Sequence, residues 1–547
     1  MIEERMGRNQ RIVYRRIIIQ GNLVLQTATH LGDGDSEGPT DMALLRDGRN
    51  LQKVLLAGSS IAGALRSYLR EHLHGIGSNE QPGGLVEILF GGLKGDDDGY
   101  QSPLIINDAL AKPVSYELRD GVKINSLTHT ASDKAKYDIE LISAGTSFPL
   151  LFELAFAYQF DPITGAYVSQ ATQQSYEQSM LNALATALHA LAIGEIGLGM
   201  KKRRGFGRCC VGQWQVWDFN LSSLADLFDW LAFDQSSQQH TSSTQRIGSD
   251  IRDLLGCNIE KQADRRHKLT LTASFALDGS LLIRSGQDQA VLGPDVVHLH
   301  AHQVDGQLRP VISGTSLAGV LRHRVERIAN TLVPESGSTV AAYMFGRVGA
   351  SQRKDSDPGQ ASRIIVHEAV IQEAITDLVQ NRISIDRFTG GAFDGALFNE
   401  QPVFAKPETH VTLTIDMFGT AKEEDSTKAM PSNDMSDVEK EANSTQKTSP
   451  EQEAFVPQKL MSAMLLLLLK DLWTADLPIG GESSIGRGRL KGLLASLCKG
   501  EMTMTDLDHR HPGLLKVGDR QQLNTLIEEL PTQIRALLNK EKQHEDA

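Results

Sequence analysis

Leu56-Ala-Gly-Ser-Ser-Ile-Ala-Gly-Ala-Leu-Arg66 returns later in the chain as Ile312-Ser-Gly-Thr-Ser-Leu-Ala-Gly-Val-Leu-Arg322. The interval between the copies is that of a whole domain, not of a solenoid repeat. Each copy follows an apolar, β-like run, Ile12–Leu25 in the first half and Lys268–Ile283 in the second. Each then continues with helical spacing, over Ser60–Leu73 and Ser316–Ile328. A second signature recurs in the same order: Ile196-Gly-Leu-Gly-Met-Lys-Lys-Arg-Arg-Gly-Phe-Gly-Arg208 and Ile479-Gly-Gly-Glu-Ser-Ser-Ile-Gly-Arg-Gly-Arg489. Both follow an apolar helical stretch, Leu181–Ile193 and Leu460–Leu472. Two signatures repeated in one order predict two homologous α+β halves.

The boundaries follow from composition. Residues 1–220 form the first half, 221–265 a linker, 266–500 the second half and 501–547 a C-terminal helical tail. The polar run Asp234–Gln245 lies in the linker and is expected to be mobile, and an acidic, Ser/Thr-rich insertion at 421–455 within the second half is expected to be disordered. With 547 residues and 40% hydrophobic content the chain can build several cores, while a formal charge of -13 excludes a surface basic all over. Aromatics at 5% are too few for an array of base-stacking rings, so any nucleic acid must lie in local basic grooves. The cysteines, Cys209, Cys210, Cys257 and Cys498, have no zinc-like spacing. The charged start lacks a secretory apolar stretch, and the run Met464–Leu469 is too short to span a bilayer, so no membrane is expected and the location reads as cytoplasmic.

Five cations stand in the eight residues Lys201–Arg208: Lys201, Lys202, Arg203, Arg204 and Arg208, flanked by glycines that admit an anion to the backbone. Arg487 and Arg489 are their counterparts in the second half. Such a run neutralises successive phosphates without reading sequence. The Gly-Ser-Ser and Gly-Thr-Ser helix starts, with Ser59, Ser60, Thr315 and Ser316, offer free N–H groups to an anion or simply cap the helix, and Arg66 and Arg322 lie one to two turns on. Neither is a Walker loop. Asp33, Asp35, Glu37 and Gly38 imitate an EF-hand start, but Leu44 stands where its last glutamate belongs. His298, His300 and His302 alternate as on one strand face, which more often marks a polar face than a metal site.

With these signatures placed, the chain resembles the RAMP superfamily, specifically the backbone subunits of type III CRISPR effectors, and among them a double-backbone subunit of a type III-D system. Ile383-Ser-Ile-Asp-Arg-Phe-Thr-Gly-Gly-Ala-Phe-Asp-Gly-Ala-Leu-Phe398 is very close to the family pattern before the terminal loop, and Val122–Tyr137 is a looser version. The resemblance implies two tandem ferredoxin-like (RRM-like) modules with inserted thumb hairpins, about residues 113–147 and 371–408. It implies crRNA, complementary target RNA and other effector subunits as partners. It also implies metal-dependent cutting of target RNA beside each thumb, with a loop aspartate before the Gly-Ser-Ser helix binding Mg2+ or Mn2+ weakly and only with RNA present. Asp41 fits that position by its spacing to Gly58, and Asp295 is its counterpart, although neither is followed by the family's usual small residue and proline. Two alternatives stay open: a scaffold without activity, and a precursor-crRNA processing endonuclease using His30.

Overall fold

Alternation decides each central strand. In Val13–Leu25 the residues Ile17, Ile19, Leu23 and Leu25 are buried in one core, while Ile18 turns to the other face and packs with Trp217 and Phe219. In the computed structural model this strand lies between Ser147–Ala157 and Cys209–Asn220, antiparallel to both. Gln245–Gly248 and Leu104–Ile106 complete a five-stranded sheet. The second half repeats the plan: Lys268–Asp278 runs antiparallel between His410–Phe418 and Arg489–Lys499. The structure describes residues 12–34, 40–92, 101–125, 128, 130–161, 166–233, 245–257, 264–285, 293–349, 359–419, 457–499, 502–508 and 524–545.

One face of each sheet is closed by the helix that carries the repeated signature. Ile61, Leu65 and Leu69 of Gly58–His74 recur every fourth residue and are buried, as are Leu317, Leu321, Val325 and Ala329 of Gly314–Leu332. Gln170–Ala192 and Pro457–Trp473, the helices before the glycine-rich loops, pack into the same two cores. This is the ferredoxin-like α+β plan, present twice. An inserted hairpin, Tyr116–Ile124 with Ala131–Ile142, projects from the first copy; the second has the shorter pair Gln380–Arg382 and Phe398–Gln401.

Three expectations need correction. The described parts of the linker belong to the first module: Gln245–Gly248 extends its sheet, and Ile251, Leu254 and Leu255 are buried in its core. The tail is not wholly helical, because Met502–Asp508, an alternating Met-Thr run, adds a strand to the second sheet before Leu530–Glu545 forms a helix. The Gly-Ser-Ser serines do not cap their helix either. The first helix starts at Ala57 with no side-chain cap, and Asp108 Oδ1 accepts from Gly58 N at 2.7 Å. In the second, Ser313 accepts from Ser316 N at 3.2 Å. The 421–455 insertion and most of the Asp234–Gln245 run lie outside the described residues.

The modules meet where the first module's glycine-rich loop crosses the start of the second module's helix. A Cβ on Gly314 would collide with the Arg204 carbonyl oxygen and lie 2.5 Å from that of Val366. Gly319, one turn on, faces open space. Gly314→Ala is therefore expected to destabilise the chain by about 1–3 kcal/mol through overpacking. Gly319→Ala should stabilise it by about 0.5–1 kcal/mol, the helix-interior cost of glycine. Urea unfolding of the two variants checks this; equal effects would contradict the close crossing.

Candidate functional site

The loop before each signature helix zips onto the returning strand of its module's inserted hairpin. In the first module Met42 bridges Ile139 in parallel, and Asp41 Oδ2 accepts from the Asp138 amide at 2.9 Å. In the second Val296 pairs with Glu400 in parallel, and Asp295 Oδ2 accepts from the Asn399 amide at 2.8 Å. Each aspartate thus stands one residue before a parallel pairing and ties its carboxylate to the amide one residue before the pairing partner. The two are structural equivalents, and both are exposed.

Their surroundings differ. Opposite Asp138 in the hairpin register stands Asp120; the matching pair in the second module is Asn381 and Asn399. Lys136 lies 2.7 Å from Asp120, and the hydrogen bond to Asp120 pushes the Asp138 carboxyl above its ordinary range. The first site therefore gathers three carboxylates and the second one carboxylate with two amides. Sequence reading missed Asp120 and Asp138, because only the hairpin register brings them to Asp41. Among the described residues no group of three or more metal-ligating side chains is arranged to hold an ion. Exposed carboxylate oxygens do suit a hard cation completed by water and phosphate oxygens.

The glycine-rich loops are equivalent closed turns. A Cβ on Gly207 would collide with the Leu198 carbonyl oxygen, and one on Gly488 with that of Ile479. Both glycines have left-handed φ, 75° and 78°. Their amides are used inside the fold, Gly207 N donating to Ala28 O and Gly488 N to Ser280 O. Packing of the turn, rather than approach of an anion, accounts for these two glycines.

The candidate cations divide into two groups. Arg66 is held by Glu80 at 2.7 and 2.5 Å, Arg322 donates to Gly346 O at 2.8 Å, and Arg487 is 3% exposed between Glu400 and Glu482. Arg203 is largely covered and stacks on Phe418, while Lys201 donates to the Tyr137 hydroxyl and lies over its ring. None of these five is presented freely. Lys202, Arg204, Arg208 and Arg489 are exposed, as are Ser59 and Ser60; Thr315 and Ser316 are half-buried at the module junction. Lys202 and Arg208 line a narrow crevice there with Arg266, Lys268, His367 and Asp416. Burial opposes ionisation of Asp416, but the hydrogen bond from His367 and the Lys268 charge hold it at about 2.

The histidines serve packing. His30 is 1% exposed, with Nδ1 at 2.8 Å from the Glu140 carbonyl, so its ring is not offered to a substrate. His298 is buried, accepts from Ile283 N, and is pushed down to about 3 by burial; it stays neutral. His302 meets Glu117 of the first module through its amide and ring.

Glu117 belongs to a cluster that seals the junction. Arg119 lies between Glu117 at 2.9 Å and Glu368 of the second module at 2.5 Å, with all three nearly inaccessible. It also covers the Phe206 ring. Burial works against the guanidinium charge, and the two carboxylates hold it. Arg119→Met is expected to cost about 3–5 kcal/mol by leaving two buried carboxylates without a cation. Adding Glu117→Gln and Glu368→Gln should recover most of that loss in urea unfolding; an unaffected single variant would contradict the cluster's role.

A family model described as the RAMP superfamily matches residues 22–210 and 274–491, one stretch in each module. No curated protein registers a match to the chain.

Proposed function

The chain belongs to the RAMP superfamily, a CRISPR-associated RNA-binding family, and we propose that it is a double backbone subunit of a type III effector, of the III-D kind. In this reading it holds crRNA, binds complementary target RNA and cuts the target once per module. The observation that carries it is the equivalence of Asp41 and Asp295, each tied to the amide of a hairpin return strand beside an exposed surface. No described helix is long and apolar enough to cross a membrane; a cytoplasmic location belongs to the proposal.

The chemistry needs little from the protein. RNA supplies its own nucleophile, the 2′-hydroxyl, and the hairpin would splay a nucleotide away from its neighbour so that this hydroxyl lies in line with the next phosphorus. Attack forms the 2′–phosphorus bond and expels the 5′-oxygen, leaving a cyclic phosphate and a 5′-hydroxyl. Asp41 and Asp295 would hold the divalent ion, whose contribution is to offset negative charge building on the phosphate. The hydrogen bond donated by the Asp138 or Asn399 backbone N–H holds each carboxylate against the hairpin's return strand. Lys202, Arg204, Arg208 and Arg489 remain available for backbone phosphates.

Guide-loaded complex carrying Asp41→Ala should lose one of two target cleavage products by at least about a hundredfold, the scale of a removed charge-stabilising group. Asp295→Ala should lose the other, and EDTA should abolish both while target binding persists. Gel analysis of labelled target checks this; normal cutting at both positions by both variants would leave a scaffold reading instead.

A further inference from the structure

In each hairpin an aromatic residue stands just before the amide that holds the loop aspartate. Tyr137 precedes Asp138, and Phe398 precedes Asn399. Whatever fixes these two rings therefore bears on where Asp41 and Asp295 stand. In both modules the glycine-rich loop reaches them, but through opposite chemistry.

In the first module the cation comes from the loop. Lys201 donates to the Tyr137 hydroxyl, and its ammonium lies 4.1 Å from the ring centroid. The ring can lie there because Gly121 stands directly across the hairpin, where a Cβ would collide with it. In the second module the cation comes from the hairpin. Arg382 holds the place of Gly121 across from Phe398, with its guanidinium 5.7 Å from the Phe398 centroid. It reaches the loop through Glu482, at 2.9 Å.

Lys201 and Glu482 are equivalent positions. Each has a left-handed backbone, φ 55° and 61°, and leads into the short 3-10 turn of its loop. A loop lysine facing a hairpin glycine has thus been exchanged for a loop glutamate facing a hairpin arginine, and the contact survives. Lys201→Glu by itself would leave Tyr137 without a cation, and Arg382→Gly would do the same to Phe398. A ring that merely faced solvent would need no such compensation; a strand that must keep its place against the loop does.

We propose that Lys201 and Arg382 are positioning residues for the two cuts. Each ties the return strand of its hairpin to the glycine-rich loop, and so keeps in place the amide that holds Asp41 or Asp295. This role rests on the cutting proposed above, and it turns Lys201, a phosphate ligand by its sequence setting, into a contact made within the protein. A cation over a partly exposed ring stabilises a fold only slightly, whereas a small displacement of a reacting group costs far more in rate.

Guide-loaded complex is assayed in single turnover on saturating labelled target, so that both products come from one reaction and each cut is the other's control. Lys201→Met should slow the cut that Asp41→Ala removes by about ten- to a hundredfold, the scale of a slightly displaced reacting geometry, and leave the other cut at its parental rate. Lys201→Arg, which keeps a cation over Tyr137, should restore most of that rate. Arg382→Met and Arg382→Lys should act in the same way on the cut that Asp295→Ala removes. Target affinity should be unchanged throughout. Parental rates at both cuts in Lys201→Met and Arg382→Met, beside aspartate variants that each lose a product, would overturn the positioning role and leave the cutting reading intact. Equal slowing of both cuts would overturn it too, as would a loss seen as weaker target binding, which would make these cations RNA contacts. Aspartate variants that lose neither product would overturn the cutting reading, and this role with it.

Discussion

Everything about this chain's organisation depends on one close crossing: the loop Lys201–Gly205 over Gly314, where there is no room for a side chain. A backbone carbonyl from one module rests on the first turn of the other module's helix, and Arg119 closes the flank between Glu117 and Glu368. Together they combine steric exclusion with a buried ion cluster that tolerates the loss of no member. The consequence is that two modules, each with its own core, keep one relative placement, and so do the two hairpins and the two aspartates they hold.

The plan of the fold was legible because it repeats. Strand alternation, the helix spacing of Ile61, Leu65 and Leu69, and the paired glycine-rich loops are local patterns, and local patterns survive in sequence. The equivalence of Asp41 and Asp295 was legible only through the family resemblance and the spacing of Asp41 to Gly58. Which cations face outward was not legible at all. Arg203 and Arg204 are neighbours in sequence, yet one stacks on Phe418 across the junction and the other is exposed. Arg487 looked like a phosphate ligand between glycines, but Glu400, distant in sequence, and Glu482 enclose it in space. Register and tertiary pairing decide these cases, and neither leaves a mark at single positions.

The same distinction separates the two sites. The loop aspartate and its amide partner are common to both modules, so the geometry repeats. The cross-strand pair does not: Asp120 and Asp138 in one, Asn381 and Asn399 in the other. In the proposed reading, a repeated scaffold with diverged neighbours would give two positions for the same reaction with different surrounding charge. The loop Glu482–Ile485 and its basic counterpart Lys201–Arg204 follow the same rule, since duplication kept the turn and changed its surface chemistry.

In the proposed reading, the close junction between the modules sets the distance between the two cutting positions. Mapping both cut positions at single-nucleotide resolution, on several unrelated target sequences bound to matching guides in the presence of magnesium, tests it most directly. The account predicts two cuts at one constant separation whatever the sequence between them. A separation that shifts with target sequence, or a single cut on every target, would contradict it.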